Sequence, residues 1–510
     1  MVFKKKQLMS ASDGTSPSHS QLNTLLTYYQ SGQYSDCQKL ALKITKKFPN
    51  HQFAWKVLGA IFGQSGKIND ALIANKKAVK INPHDAEAHY NLGVTLKELG
   101  RLEDAEESYR QAISVKPDYA EAYNNLGVTL KNLGRLEDAQ ASYKQAIAVK
   151  PDYAEAYNSL GVTLKELGKL REAESSYRQS IALKPRYAKA YNNLGNTLKA
   201  LGRVEESESS YGQAIELEPD YTDALLNRWK LLFDKKEFKS ALRDADACST
   251  KKSRMHSLET LFALGKIEEI YKRIENQLEI DDENIRIAAF SAFISKMEEK
   301  ETAHKFCNKP LEFMQFGNIS SHLEDLDLFL AELIGELQEL KTIWEPTGYT
   351  TRNGFQTPSL IEMNLFSNKS IKIQRLKSII FDELDLYHRK FGNNSCSYIQ
   401  KWPSEKVLFG WQVILKNQGY QLAHIHPSGW LSGVIYLQVV PSLGRDEGAI
   451  EFSLNGDNFW SGNSPKITYQ PKVGDIVFFP SSLHHRTIPF TTEMDRIIIS
   501  FDLLPISTTS

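Results

Sequence analysis

Tyr420-Gln-Leu-Ala-His424-Ile-His426-Pro-Ser-Gly-Trp430-Leu-Ser-Gly-Val-Ile-Tyr436-Leu437 sets two histidines one residue apart, directly ahead of an apolar run that reads as a strand. On a strand, residues i and i+2 point to the same face. His424 and His426 can therefore project side by side into one pocket. Downstream come Phe478-Phe479-Pro480-Ser-Ser-Leu-His484-His485 and then Asp495-Arg496-Ile-Ile-Ile-Ser-Phe501. Three imidazoles from two strands can bind one metal ion, and a lone arginine at the head of the next strand can grip a carboxylate in two-pronged fashion.

Around these motifs lie short β-type runs, each ended by turn residues, at 410–415, 431–440, 449–453, 475–479 and 496–501. Evenly spaced short strands with turn signals predict a sandwich or barrel. A single helix from Ile371 to about Phe391 precedes them. The composition changes near Trp344, where Gly, Pro, Thr and aromatics replace an Ala/Glu/Lys helical pattern.

The first half of the chain is periodic. Gly59, Gly93, Gly127, Gly161 and Gly195 are each 34 apart (93−59 = 34), and Pro49, Pro83, Pro117, Pro151, Pro185 and Pro219 keep the same step. Within a unit, Leu126 and Leu130 recur at helical spacing, while Gly127 and Ala139 are small where two helices would press together. Gly134 suits a left-handed helix cap, and Pro151 stops the second helix. About seven units run from 18 to 255, and the first and last diverge: Cys37 replaces the small Ala and Trp229 replaces Gly. End units have one face without a neighbour, so divergence there is expected. From 256 to 343 the register is lost, but Leu-rich segments at spacings of three and four predict amphipathic helices, read as a bridge whose apolar stripes are core.

Composition narrows the function. The 510 residues are 41% apolar and 24% charged, an ordinary balance for a folded chain of two or three domains. Lys+Arg and Asp+Glu both number 62, so nothing electrostatic points to nucleic acid or an anionic membrane as partner. Cys37, Cys248, Cys307 and Cys396 show no paired spacing, which predicts a reducing compartment, the cytoplasm. No uncharged apolar run approaches the roughly 18 residues of a membrane span. No apolar segment follows Lys4-Lys5-Lys6, so no secretory signal is expected.

The 34-residue unit resembles the tetratricopeptide repeat, a helix–turn–helix that stacks into a curved solenoid. Along its concave helices one position carries Asn91, Asn125, Ser159, Asn193 and Asn227. The array is similar to that of the protein O-GlcNAc transferases, where such an asparagine ladder clamps a peptide backbone. The resemblance implies a protein or peptide partner along the concave surface. The same amides can equally be solvated or serve the repeat fold.

The C-terminal motifs resemble the 2-oxoglutarate/Fe(II) oxygenases built on a double-stranded β-helix (jelly roll), some of which carry tetratricopeptide repeats in front. The resemblance rests on Trp411, His424-Ile-His426-Pro, Ser432-Gly-Val-Ile-Tyr436-Leu, Pro471-Lys-Val-Gly474-Asp-Ile-Val-Phe-Phe-Pro480, His485 and Arg496. Prolyl 4-hydroxylases share the core plan more distantly. It implies a multidomain chain: a tail over 1–17, a solenoid over 18–255, a helical bridge over 256–343 and the β-helix over 344–507. It also implies Fe(II) on His424 and His485, and 2-oxoglutarate as cosubstrate with its far carboxylate on Arg496 and the Tyr436 hydroxyl. No catalytic side chain is implied beyond the metal centre.

One position departs from the family. The usual iron set is two His and one carboxylate, and here His426 stands where Asp is usual. Either His426 ligates, giving a three-His site, or it turns away and water fills that position; neither Glu451 nor Asp475 has the spacing of a substitute. Three readings follow. The first is an Fe(II)/2-oxoglutarate dioxygenase that hydroxylates a polypeptide or peptide-linked substrate presented by the array. The second is a tetratricopeptide scaffold with a degenerate β-helix as binding module. The third is a three-His dioxygenase without cosubstrate.

Overall fold

The computed structural model describes residues 16–346, 348–358, 364–442 and 444–505. The chain forms two compact units, 1–231 and 232–510, each described by itself.

The first unit is a solenoid of antiparallel helix pairs that repeat the 34-residue step. In one pair, Ala120–Asn132 is followed by Leu136–Val149. Gly134 between them has φ +76°, a left-handed turn that a Cβ would strain. The glycine inside the first helix has a different role. A Cβ on Gly127 would lie 2.6 Å from the ring of Tyr143, and Tyr143 is 1% exposed, with no room to retreat. Tyr109, Tyr177 and Tyr211 pack on Gly93, Gly161 and Gly195 in the same way. Gly127→Ala is expected to destabilise the array by about 1–3 kcal/mol, the usual cost of overpacking. The check is a lower midpoint in helical circular dichroism; an unchanged midpoint would mean that Tyr143 swings aside.

Among its described residues the second unit contains ten strands: β1 Gln315–Asn318, β2 Ile343–Trp344, β3 Thr351–Gln356, β4 Lys406–Gln421, β5 Leu431–Gln438, β6 Ile450–Ser453, β7 Lys466–Tyr469, β8 Asp475–Pro480, β9 His484–Thr487 and β10 Arg496–Pro505. They form a seven-stranded sheet, β1-β8-β5-β10-β4-β3-β2, and a three-stranded sheet, β7-β6-β9. All pairings are antiparallel. This is the jelly-roll architecture expected for the C-terminal part.

Alternation along the strands divides two cores. Ile497, Ile499, Phe501 and Leu503 of β10 face one way, with Ile435 of β5 and Phe478 of β8. The helix Ile371–Phe391, capped by Ser370, covers this face with Ile373, Leu376, Ile380 and Leu384. Ile498 faces the other way with Val413, Val434, Tyr436, Val477 and Phe452, into the space between the sheets. Arg496 and Tyr436, two of the candidate site residues, lie on this second face.

Two expectations change. The segment expected as a helical bridge lies within the second unit. Leu258, Ile270, Phe290 and Phe293 share the inner core with Trp411 and Phe459, and Ile285 and Phe329 share the outer one. The stripes were core, as read, but of this unit and not of a linker. Residues 315–318 also form a strand, β1, on the edge of the large sheet beside β8.

Candidate metal centre and anion pocket

His424 follows the end of β4, and His485 lies on β9 of the other sheet. Their backbones form an isolated antiparallel bridge, with His424 N–H to His485 O and His485 N–H to His424 O both at 3.0 Å. This bridge ties the two sheets together at the mouth of the roll and holds the two rings 4.3 Å apart. His426 is anchored by its N–H to Ser481 O at 3.0 Å. One ring nitrogen from each of the three histidines lies within 4.8 Å of the other two.

The hydrogen bonds fix which nitrogens converge. Nδ1 of His424 is 2.7 Å from Leu422 O. Nδ1 of His485 is 3.2 Å from Leu483 O. Nδ1 of His426 is 2.6 Å from Asp502 Oδ1. The carbonyl and carboxylate partners can only accept, and the Ser432 hydroxyl, 2.9 Å from His426 Nδ1, gives its own proton to Asp502, so each Nδ1 carries the proton and each Nε2 presents a lone pair. The Nε2 atoms of His424 and His426 stand 3.2 Å apart. Two lone pairs cannot bond each other, whereas two nitrogens at about 2.1 Å from one cation sit about 3 Å apart. Burial and the neighbouring His426 push the His424 imidazole down to about 3, and burial with the adjacent rings holds His485 well below its ordinary value. Both are thus kept in the neutral form that a metal requires.

The sequence left two orientations open for His426, and its ring points into the cluster. Of the neighbouring pair, His485 faces the cluster; His484 points away, against Phe459. Glu451 pairs with Arg486 on the outside of the small sheet. Asp475 caps its own turn, accepting from Tyr469 Oη and Lys472 N. Sequence reading overlooked Asp502, the carboxylate behind His426.

Deeper in the roll, Arg496 is 1% exposed. Its guanidinium lies over the ring of Tyr436, 5.1 Å from the centroid, and donates to Thr487 Oγ1 at 2.9 Å. It makes no ion pair among the described residues, and its Nε and the Tyr436 hydroxyl are buried with no partner beyond the attraction between the guanidinium and that phenol. Burial lowers the Arg496 pKa and pushes that of the Tyr436 hydroxyl up to about 12. An unpaired buried cation beside a phenol is costly unless an anion joins them. Thr487 is two residues past His485 on β9, about 7 Å at the rise of an extended strand. A short dicarboxylate spans that interval.

A cavity of about 520 Å³ opens on the mouth side of the cluster, lined by His424, His426, Trp411, Phe409, Tyr349 and Gln421 among others. In the first unit, the asparagines reach back one repeat. Asn125 Nδ2 donates to Tyr90 Oη at 2.8 Å, Asn193 Nδ2 to Asn158 Oδ1 at 3.0 Å, and Asn227 Nδ2 to Asn192 Oδ1 at 3.0 Å. They staple neighbouring repeats, which is the structural use that the sequence left open. Asn91 differs: it is 1% exposed, and both amide atoms are buried without a partner.

The helix pairs define a repeat protein, and the jelly roll brings together three imidazoles that could hold one metal ion. Residues 410–502 match the family model described as "Putative 2OG-Fe(II) oxygenase". Residues 6–227 match a tetratricopeptide model described as the cilia and flagella-associated protein 70 C-terminal domain. The chain thus carries a tetratricopeptide-type array and a C-terminal domain that matches the putative 2OG-Fe(II) oxygenase model. No curated protein matches it. Among solved structures it is similar to MamA, at 28% identity over 33% of this chain and 92% of that one, with a TM-score of 0.31. PilW, titled a widely conserved type IV pilus biogenesis factor, is 24% identical over 38% of this chain and 90% of that one, with a TM-score of 0.36. A thermophilic tetratricopeptide protein of Thermus thermophilus is 28% identical over 36% of this chain and 99% of that one, with a TM-score of 0.31. No described helix is long and apolar enough to cross a membrane.

Proposed function

We propose that the C-terminal domain is an Fe(II)- and 2-oxoglutarate-dependent dioxygenase, with iron on Nε2 of His424, His426 and His485. The observation that carries this reading is a buried arginine, Arg496, with no counter-ion among the described residues, bonded to Thr487 two positions along β9 from His485, whose imidazole clusters with those of His424 and His426. Iron with bound 2-oxoglutarate supplies oxidation of a substrate C–H bond by dioxygen, with release of succinate and carbon dioxide. The chain's own residues bind, orient and exclude water. Arg496 grips the far carboxylate, Tyr436 donates its hydroxyl to the same group, and Thr487 keeps the guanidinium aimed. Val413, Ile498 and Phe452 form a dry wall around that end, where charge-assisted hydrogen bonds are strongest. The three-His reading without cosubstrate leaves Arg496 buried with nothing to neutralise it.

The substrate proposed is a polypeptide. A stacked repeat array offers an extended surface suited to one, and the amide oxygens of Asn125 and Asn227 can accept from its backbone while their Nδ2 groups hold the repeats. Among the described residues, the cavity beside His424 and His426 has one carboxylate in its wall, Asp502, already engaged with His426. It therefore suits an uncharged side chain.

The test is succinate release from 2-oxoglutarate by the full chain with Fe(II). Iron-dependent succinate that rises with candidate peptides is expected. No succinate under any of these conditions, or turnover that survives His424→Ala, would overturn the reading. Tyr436→Phe removes one hydrogen bond to a charged group, about 1.5–3 kcal/mol. It is expected to raise the KM for 2-oxoglutarate about tenfold or more with metal affinity unchanged.

A further inference from the structure

Asp502 is placed with unusual care for a residue that no motif singled out. It lies six positions past Arg496 on β10 (502−496 = 6), on the same inner face, and is 7% exposed. Its backbone is held between two strands, paired with Phe409 of β4 and Ser432 of β5. Besides the contact of Oδ1 with His426 Nδ1 at 2.6 Å, the same oxygen accepts the Ser432 hydroxyl at 2.6 Å. Ser432 Oγ in turn lies 2.8 Å from Ser481 Oγ. The turn over this group leaves no space: a Cβ on Gly429 would come within 2.5 Å of Ser481 Oγ and 3.0 Å of Asp502 Cγ.

We propose that Asp502 is a positioning residue for the metal centre. It locks His426 with Nε2 toward the metal, and it returns to the site the negative charge that three imidazoles lack. This rests on the reading of His424, His426 and His485 as ligands. The three rings are not held alike. His424 and His485 give their Nδ1 protons to backbone carbonyls, which are neutral; His426 alone gives its proton to a carboxylate. A carboxylate behind a ligand histidine fixes its tautomer and raises its basicity. In the usual set the carboxylate sits on the metal. Here the histidine occupies that place and the carboxylate stands behind it, so the net charge near the cation is kept. Asp502 adds no donor atom to the cluster that can hold a metal.

The test uses the metal-free full chain titrated with Co(II), without 2-oxoglutarate, by calorimetry and visible absorption. Asp502→Asn keeps the acceptor and the shape but removes the charge; Asp502→Ala removes both. The dissociation constant for Co(II) is expected to weaken about 10-fold in the first and about 100-fold in the second. The absorption bands, which report ligand geometry, are expected to shift. If Asp502 acts through His426, then in a His426→Ala background Asp502→Ala adds less than about twofold. Unchanged affinity and spectrum in both single variants would overturn the proposal. So would an equal weakening with and without His426, the mark of a merely structural role. Failure of the natural chain to bind Co(II) would remove the three-imidazole reading and the role of Asp502 with it. Binding that ignores Asp502 would remove only the latter.

Discussion

Arg496→Met is expected to abolish productive use of 2-oxoglutarate while leaving the ligand-free chain as stable as before, or more so. The two effects have one cause. In the free protein the guanidinium is buried with no carboxylate partner among the described residues. Replacing a buried charge by an apolar side chain of similar volume is often neutral or stabilising. With ligand present the balance reverses. Leaving a buried carboxylate without its two-pronged partner costs about 2–5 kcal/mol, which is roughly a 30- to 4,000-fold rise in KM or fall in affinity. Arg496→Lys keeps the charge but presents a point donor instead of a planar fork, so it should restore only part of the affinity. Thermal shifts with and without 2-oxoglutarate check this: the natural chain should gain stability on adding the ligand, and Arg496→Met should gain none. A ligand-induced shift of the same size in both would mean that the anion binds elsewhere.

His485→Ala should cost more than about 100-fold in metal affinity, since even residues behind the ligands are worth about 10- to 100-fold. His485 is the one member of the cluster on the small sheet, so its loss leaves two nitrogens from a single chain segment and opens the side facing Phe479, now 4.6 Å from its ring. Succinate formation should fall to background, and the metal should wash out on desalting. His484→Ala, one residue away, changes a ring that faces Phe459 and should leave metal content unchanged. Equal metal loss in both variants would show that β9 had merely unfolded.

The sequence carried the site unevenly. His424 and His426 drew notice by their spacing of two, but they lie in the connection between β4 and β5, where bonds to His485 and Ser481 and not a strand's alternation aim the rings; Arg496 drew notice because a charged residue heading an apolar strand has to be explained. Asp502 shares the parity of Arg496 and could have been placed on the same face. What sequence does not show is that β10 lies between β4 and β5, with Asp502 opposite Ser432 and so behind His426. That is a matter of register between segments about 70 residues apart.

The fold divides in the same way. The 34-residue step gave the helix pairs, and the helix expected from Ile371 to about Phe391 is present over those residues. Strand β1, Gln-Phe-Gly-Asn, has no alternation and few β-forming residues; it is extended because the free edge of β8 pairs with it. The apolar stripes between 256 and 343 were read as core, but not as whose core. Phe290 and Phe293 meet Phe459 across a long stretch of chain, and no local pattern encodes that meeting. The asparagine row was visible as a period, while its use as a staple between repeats depends on the step from one helix pair to the next.

The most direct measurement is an anomalous difference map at the iron edge, from crystals of the full chain grown with Fe(II) without oxygen. We predict a single strong peak between the two sheets, about 2.0–2.2 Å from Nε2 of His424, His426 and His485, with His426 Nδ1 still against Asp502. No peak among those rings, or iron held by other residues while the three imidazoles stay apart, would contradict the assignment of this domain as an iron centre.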